Sequence, residues 1–145
     1  MNFINQFIAS VTFKVKTVIH FASQSIWKSV FYTIMIVLIA GVISSIFYTT
    51  ALPSEVAAFR IFYHYIRITI DLIIHFIFIS AIAFAGRSYG KLLDLTYSQV
   101  WTITAYGITA PIVIRTLIQI LGIPFPATGF IYWVVVAFFS MFALK

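Results

Sequence analysis

The sequence predicts an all-α integral membrane protein, a transmembrane four-helix bundle preceded by an N-terminal amphipathic helix in the interface. Three observations predict it. Of 145 residues 63% are hydrophobic, 19% are aromatic and only 8% are charged, whereas a soluble domain carries about 25% charged residues. Four apolar stretches approach or reach the length that a hydrocarbon core about 30 Å thick demands. Ahead of them, apolar and polar residues separate around a helical wheel. At this length the chain forms one membrane domain, residues 1–145.

In the N-terminal segment, residues 1–26, Phe3, Ile4, Phe7, Ile8, Val11, Val15, Val18 and Ile19 fall near one helical face, with Asn5, Ser10, Thr12, Lys14, Lys16 and Thr17 largely elsewhere. That pattern suits a helix lying in the interfacial plane with its lysines toward headgroups. It does not suit a cleavable signal peptide, because Lys14 and Lys16 follow the apolar stretch and no small-residue cleavage site closes it. The first span, 29–48, comes after Trp27 and Lys28, an aromatic anchor and a third headgroup contact. Thr49 to Pro53 breaks the pattern, and Ser54 is placed to cap a long helix reaching Ala85, with 66–85 embedded. Gly86 to Ser98 reads as a polar loop holding Arg87, Lys91 and Asp94. A third span, 99–121, contains Pro111, Arg115 and Gln119, and the turn Gly122-Ile-Pro-Phe-Pro-Ala-Thr-Gly129 leads to a short fourth span, 130–144, beside a snorkelling Lys145.

Nine Lys and Arg stand against Glu55, Asp71 and Asp94, a net charge of +6. The basic residues are scattered among spans with no Lys/Arg-rich run, so anionic lipid is their partner and nucleic acid is not. With no cysteine there are no disulfides, thiolate metal sites or cysteine nucleophiles. An inward N-terminus puts Lys14, Lys16, Lys28, Arg87, Lys91 and Lys145 on one side and Arg60 alone on the other. The positive-inside rule then sets both termini in the cytoplasm, with the protein in the plasma membrane.

The most informative feature is a stripe on the second long helix: Arg60, His64, Arg67, Asp71 and His75, at spacings of four, three, four and four. These intervals share one helical face, and ionisable side chains within a span mark a candidate functional site. Arg60 and His64 belong to the interface; Arg67, Asp71 and His75 form an intramembrane network with Arg115. Depth supports the last pairing. Counted from Ile66, Asp71 lies about 7 to 8 Å deep, and counted back from Leu121, Arg115 lies about 9 Å deep, at about 1.5 Å per residue. Arg67, four residues before Asp71, is the competing partner. Two accounts of the stripe stand: a buried ion pair that sets helix register, or the lining of a wet cavity or proton path that uses His75.

Other motifs are sparse. His64 and His75 are about 16 Å apart along a helix and cannot share a metal ion within one chain. His20 reads as an interfacial side chain. Pro111 bends the third span or serves as its hinge, with the Thr102, Thr104 and Thr109 hydroxyls available to the freed carbonyls. There is no Walker loop, nucleophile elbow, HExxH or paired-carboxylate motif. No catalytic residue, metal or cofactor is therefore expected.

Tyr106-Gly-Ile-Thr-Ala-Pro111, the Leu121-Gly-Ile-Pro124 exit, the closing Ala143-Leu-Lys145 and the basic amphipathic N-terminus together resemble a family of Gram-positive bacterial membrane proteins of unknown function. Some of its members carry the name maltodextrin utilization protein. The tyrosine-glycine-then-proline pattern more distantly resembles the Yip family of small multi-span proteins, which in eukaryotes act as partners of trafficking GTPases. The resemblance implies a multi-helix membrane fold and supplies no catalytic residues. Longer relatives carry an extracytoplasmic domain between the first two spans, where this chain has about a dozen residues, so any function of that domain does not transfer.

These observations lead to the expectation of a non-enzymatic accessory or scaffold subunit acting on another membrane protein, a second copy of itself or the lipid bilayer. The alternatives are a proton- or ion-conducting or transporter module built on Arg67, Asp71, His75 and Arg115, and an immunity or holin-like protein. Too little chain is present for a two-repeat transporter. The orientation has a direct test in this cysteine-free chain: Ser88→Cys should resist a membrane-impermeant thiol reagent in intact cells and label after permeabilisation. Labelling in intact cells would reverse the topology.

Overall fold

The computed structural model describes residues 3–12, 20–48, 57–90, 95–122 and 134. The described elements are all helical: α1 (Phe3–Val11), α2 (Ile26–Tyr48), α3 (Ala57–Gly90), α4 (Tyr97–Gly107) and α5 (Thr109–Ile120). Three rods are long and apolar enough to cross a membrane, Ile26–Phe47, Ile61–Gly86 and Tyr97–Ile120, the third made of α4 and α5 end to end. The expected fourth span, 130–144, lies outside the described residues except for Val134.

Side-chain contacts fix the directions of the rods. Ser29 meets Thr102, Tyr32 meets Thr109 and Ser44 meets Gln119, so numbers rise together and α2 runs parallel to α4–α5. Trp101 meets Ser80 and Arg115 meets Asp71, so α3 runs antiparallel to both. The α4–α5 rod is the axis of the bundle, and every residue from Val100 to Ile112 is buried. A helix apolar on all sides belongs in an interior. The threonines in this stretch do not break the rule, because each hydroxyl is bonded: Thr104 to the Val100 carbonyl at 2.9 Å, Thr102 to Ser29 at 3.0 Å and Thr109 to Tyr32 at 3.0 Å.

That assignment corrects the expected use of the threonines at Pro111. Lacking an N–H, Pro111 cannot bond the Gly107 carbonyl, and its ring crowds that group. The helix lapses at Ile108, between α4 and α5. The three hydroxyls serve Ser29, Val100 and Tyr32 instead. The rod begins with a device that the sequence carries openly: Thr96 and Gln99 form a capping box, the Gln99 amide oxygen accepting the Thr96 backbone N–H at 2.8 Å and the Gln99 N–H reaching the Thr96 hydroxyl at 3.4 Å. It ends at Gly122, whose φ of +65° is the left-handed conformation favoured just past a helix C-terminus.

Boundaries differ from the sequence reading at α3 and in the N-terminal segment, and each rod starts earlier than expected, at Ile26, Ile61 and Tyr97. Helix α3 continues past Gly86 to Gly90, which shortens the expected polar loop at its start. In the N-terminal segment α1 stops at Val11, Thr12 and Ala22 to Ser23 form turns, and 13–19, with Lys14 and Lys16, lie outside the described residues. Helix α1 also packs on α5. Ala9 and Ser10 are buried, Phe3 lies 5.4 Å from the Tyr32 ring, and Ile4 and Ile8 point outward. The expected apolar face is thus divided between the bundle and the surroundings. Separation of apolar from polar residues identifies a flat interfacial helix only if the outward side is water, and hydrocarbon tolerates Ile4 and Ile8 equally well.

Aromatic rings fill the space beside α1. Tyr106 lies 4.4 Å from Phe21 and 4.5 Å from Tyr32, all three deeply buried. At the other side Phe76 stacks on Trp101 at 5.9 Å. Helices α2 and α3 approach each other at Gly41, where an added Cβ would stand 2.7 Å from Ile68 Cγ1. Small residues allow such contacts between membrane helices. Gly41→Ala should therefore lower stability in mild detergent by about 1–3 kcal/mol, the usual cost of overpacking, and Ile68→Ala in the same chain should restore part of it. Equal melting temperatures for wild type and Gly41→Ala would show that the two helices do not meet this closely.

Candidate functional site

The polar stripe on α3 faces the α4–α5 rod and α2. Arg67, Asp71 and His75 of α3 line a cavity of about 20 Å³ together with Gly41, Ser44 and Ser45 of α2 and Arg115, Thr116 and Gln119 of α5. Five polar residues of α2 and α5, Ser44, Ser45, Arg115, Thr116 and Gln119, therefore converge on the charged face of α3. A water needs roughly 10–15 Å³ of such space, so the cavity has room for about one water and none for a larger solute.

Asp71 and Arg115 form the centre of the cluster. Arg115 Nη1 donates to Asp71 Oδ1 at 3.1 Å and to Oδ2 at 3.3 Å. One nitrogen serves both oxygens, so this is not the two-nitrogen fork that makes the strongest guanidinium–carboxylate contacts. Asp71 lies ten residues into the Ile61–Gly86 rod and Arg115 five residues from the end of Tyr97–Ile120, about 15 Å and 7.5 Å from those ends. Asp71 is thus deeper in its own helix than a span starting at Ile66 would make it. Rods of different length and start bring the two residues to one level.

His75 is buried to 1% exposure and turns back on its own helix, Nδ1 lying 2.6 Å from the Asp71 carbonyl and 3.9 Å from Asp71 Oδ1. A carbonyl only accepts, so Nδ1 carries the proton in this contact. Asp71 consequently holds two groups, Arg115 through its carboxylate and His75 through its backbone. At the cavity edge Ser44 donates to Gln119 Oε1 at 2.7 Å, joining α2 to α5. The Ser45 and Thr116 hydroxyls return to carbonyls four residues back, Gly41 and Ile112, both at 2.8 Å.

The remaining stripe residues separate from this centre. His64 is buried, and neither of its ring nitrogens has a hydrogen-bond partner among the described residues. It does not line the cavity. The Arg60 side chain lies outside the described residues. Lys28 is exposed in the first turn of α2, and His20 is exposed with its carbonyl accepting from the Ser23 hydroxyl at 2.8 Å. Gly41 and the Gln6–Gln24–Tyr106 contacts escaped the sequence reading; a glycine among bulky apolar residues and isolated glutamines beside a span were the available signals.

The fold and the cluster define a small all-helical membrane protein whose spans are joined by an intramembrane ion pair. Residues 55–144, more than half of the chain, match the family described as protein of unknown function, DUF1189, and the chain belongs to that family. The matched region contains Asp71, His75 and Arg115 but not Gly41 or Ser44. No match was found among curated proteins or among solved structures.

Removal of one partner of the central pair leaves a lone charge among apolar helices, a loss of about 2.5–3.5 kcal/mol on the insertion scale. Asp71→Asn and Arg115→Gln should each lower the melting temperature in detergent, and the double substitution should recover part of the loss. Strict additivity of the two effects would show that the residues act separately.

Proposed function

We propose that the protein is a non-enzymatic accessory or scaffold subunit that packs its outward helical faces against another membrane protein or organises lipid around them. The observation that carries this reading is the surface of α3. Phe62, Ile66, Ile70, Ile73, Ile77 and Phe84 are exposed at spacings of four, four, three, four and seven, a continuous apolar stripe opposite the polar one. The bundle's own core is built mainly on α4–α5, which leaves this stripe to whatever surrounds the protein. Acyl chains and a partner helix both suit it. In this reading the basic excess keeps both termini on the cytoplasmic side of the plasma membrane of a Gram-positive bacterium.

The second reading, a proton- or ion-conducting module, is favoured by one observation: Ser44, Arg115 and Gln119 converge on the cavity that Arg67, Asp71 and His75 line. Its size favours the scaffold, since space for about one water is no path for a substrate or a hydrated ion. An immunity or holin-like role draws no support from any residue.

Two measurements separate the readings. Cysteines placed singly at Ile70 and Ile77 should cross-link in cells to a discrete membrane protein or a second copy of the chain, whereas a cysteine at Ser44, inside the bundle, should not. In liposomes loaded with a pH-sensitive dye, wild type and Asp71→Asn should show the same proton permeability. A flux present in wild type and lost in Asp71→Asn would replace the scaffold with the conducting module.

A further inference from the structure

A second concavity, distinct from the ion-pair cavity, opens where α1 meets the start of α2. It has a volume of about 410 Å³ and is lined by Phe3, Gln6, Gln24, Trp27, Lys28, Phe31 and Tyr32. Its chemistry is set by Gln24. The Gln24 Oε1 accepts from Gln6 Nε2 at 3.1 Å and from the Tyr106 hydroxyl at 3.2 Å. With that oxygen taken, the Gln24 amide has only N–H groups left to offer, and Gln6 keeps a further N–H beside it. Lys28, four residues beyond Gln24 in the first turn of α2, adds an exposed ammonium, and the Trp27 indole adds another donor. Tyr32 is already engaged with Thr109. Gln6 Oε1 is the remaining side-chain amide acceptor in the lining, and among the described residues no carboxylate lines it.

Position completes the argument. The membrane-length rod begins at Ile26, so Gln24, Trp27 and Lys28 fall at headgroup level and Phe31 about one turn, roughly 5 Å, deeper. Trp27 and Phe31 are four residues apart and both largely exposed, an apolar edge facing the acyl region below a donor-rich mouth. We propose that this groove binds one anionic phospholipid: its phosphate is taken by the Gln24 and Gln6 amide N–H groups and the Lys28 ammonium, and its first acyl carbons lie along Trp27 and Phe31. A zwitterionic lipid brings its own cation toward Lys28 and is disfavoured. The proposal commits to a lipid and does not rest on the scaffold reading.

Trp27 supplies the reporter. The full chain is placed in phosphatidylcholine vesicles containing an equal, low mole fraction of either brominated phosphatidylglycerol or brominated phosphatidylcholine. Quenching of Trp27 is read as the difference between wild type and Trp27→Phe. Brominated phosphatidylglycerol should quench severalfold more strongly. Lys28→Gln should reduce the preference to that of phosphatidylcholine, and Lys28→Arg should retain it. Gln24→Glu should abolish it while keeping the melting temperature, because a carboxylate oxygen still accepts from Gln6 and Tyr106 while the N–H donors give way to a negative charge that repels phosphate. Millimolar glycerol phosphate in the buffer should not compete. Equal quenching by the two lipids, a preference that survives Lys28→Gln or Gln24→Glu, or displacement by glycerol phosphate would each overturn the assignment, the last by making the groove a site for free anions.

Discussion

Inside a bilayer no water is available to a polar group that folding leaves over, so each must find its partner within the protein. In this chain five side-chain contacts along a single rod serve that constraint, and the buried His64 ring is an exception to it among the described residues. Thr102 bonds Ser29, Thr109 bonds Tyr32, Trp101 bonds Ser80, Arg115 bonds Asp71 and Gln119 bonds Ser44. Each contact joins α4–α5 to one of its neighbours. Apolar burial alone discriminates poorly among helix registers in lipid, because acyl chains solvate Leu and Ile as well as another helix does. The polar contacts are what single out one register, and they explain why the buried rod is also rich in threonine.

The ion pair is the most demanding of these contacts. A carboxylate and a guanidinium in hydrocarbon are tolerable only together, so helices α3 and α5 must bring Asp71 and Arg115 to the same level. Gly41 assists from the third side. By allowing α2 to approach Ile68, it closes the cavity walls around Ser44 and Ser45 and leaves space for about one water instead of a channel. His75 is held against the Asp71 carbonyl by the same arrangement, so a titratable ring sits one turn from the carboxylate with its orientation set by the helix that carries it. A register device and a proton relay would both need this geometry. The cavity's small size is what weighs toward the former.

Among the described residues two polar clusters border cavities, and the outward faces of α2 and α3 are mainly apolar. The ion-pair cavity looks inward between helices. The groove of Gln6, Gln24 and Lys28 opens at the end of a span, where α1 is folded against the bundle. The aromatic column of Phe21, Tyr32 and Tyr106 connects α1 and the Gln24 turn to α4, so the geometry of the groove depends on the core behind it. Occupation of the groove by a lipid would therefore bear on the packing of α1 and the first span.

The helical class and three spans were legible in the sequence because they follow from composition and run length, which local residues determine. The stripe was legible for the same reason: intervals of three and four place Arg67, Asp71 and His75 on one face whatever surrounds them. The pairing of Asp71 with Arg115 followed from depth matching, which needs only the rise of a helix, although the actual rod limits placed Asp71 deeper than the assumed start at Ile66. What α1 does was not legible. Its pattern of Phe3, Ile4, Phe7 and Ile8 suits a flat interfacial helix or one packed on a bundle, and only the presence of Tyr32 and α5 beside it decides. The targets of the threonines, the close approach at Gly41 and the double use of Gln24 likewise join residues far apart in the chain. Periodicity and composition constrain which way a side chain faces; what it meets there is set by how the helices pack, and that was decided only by the tertiary structure.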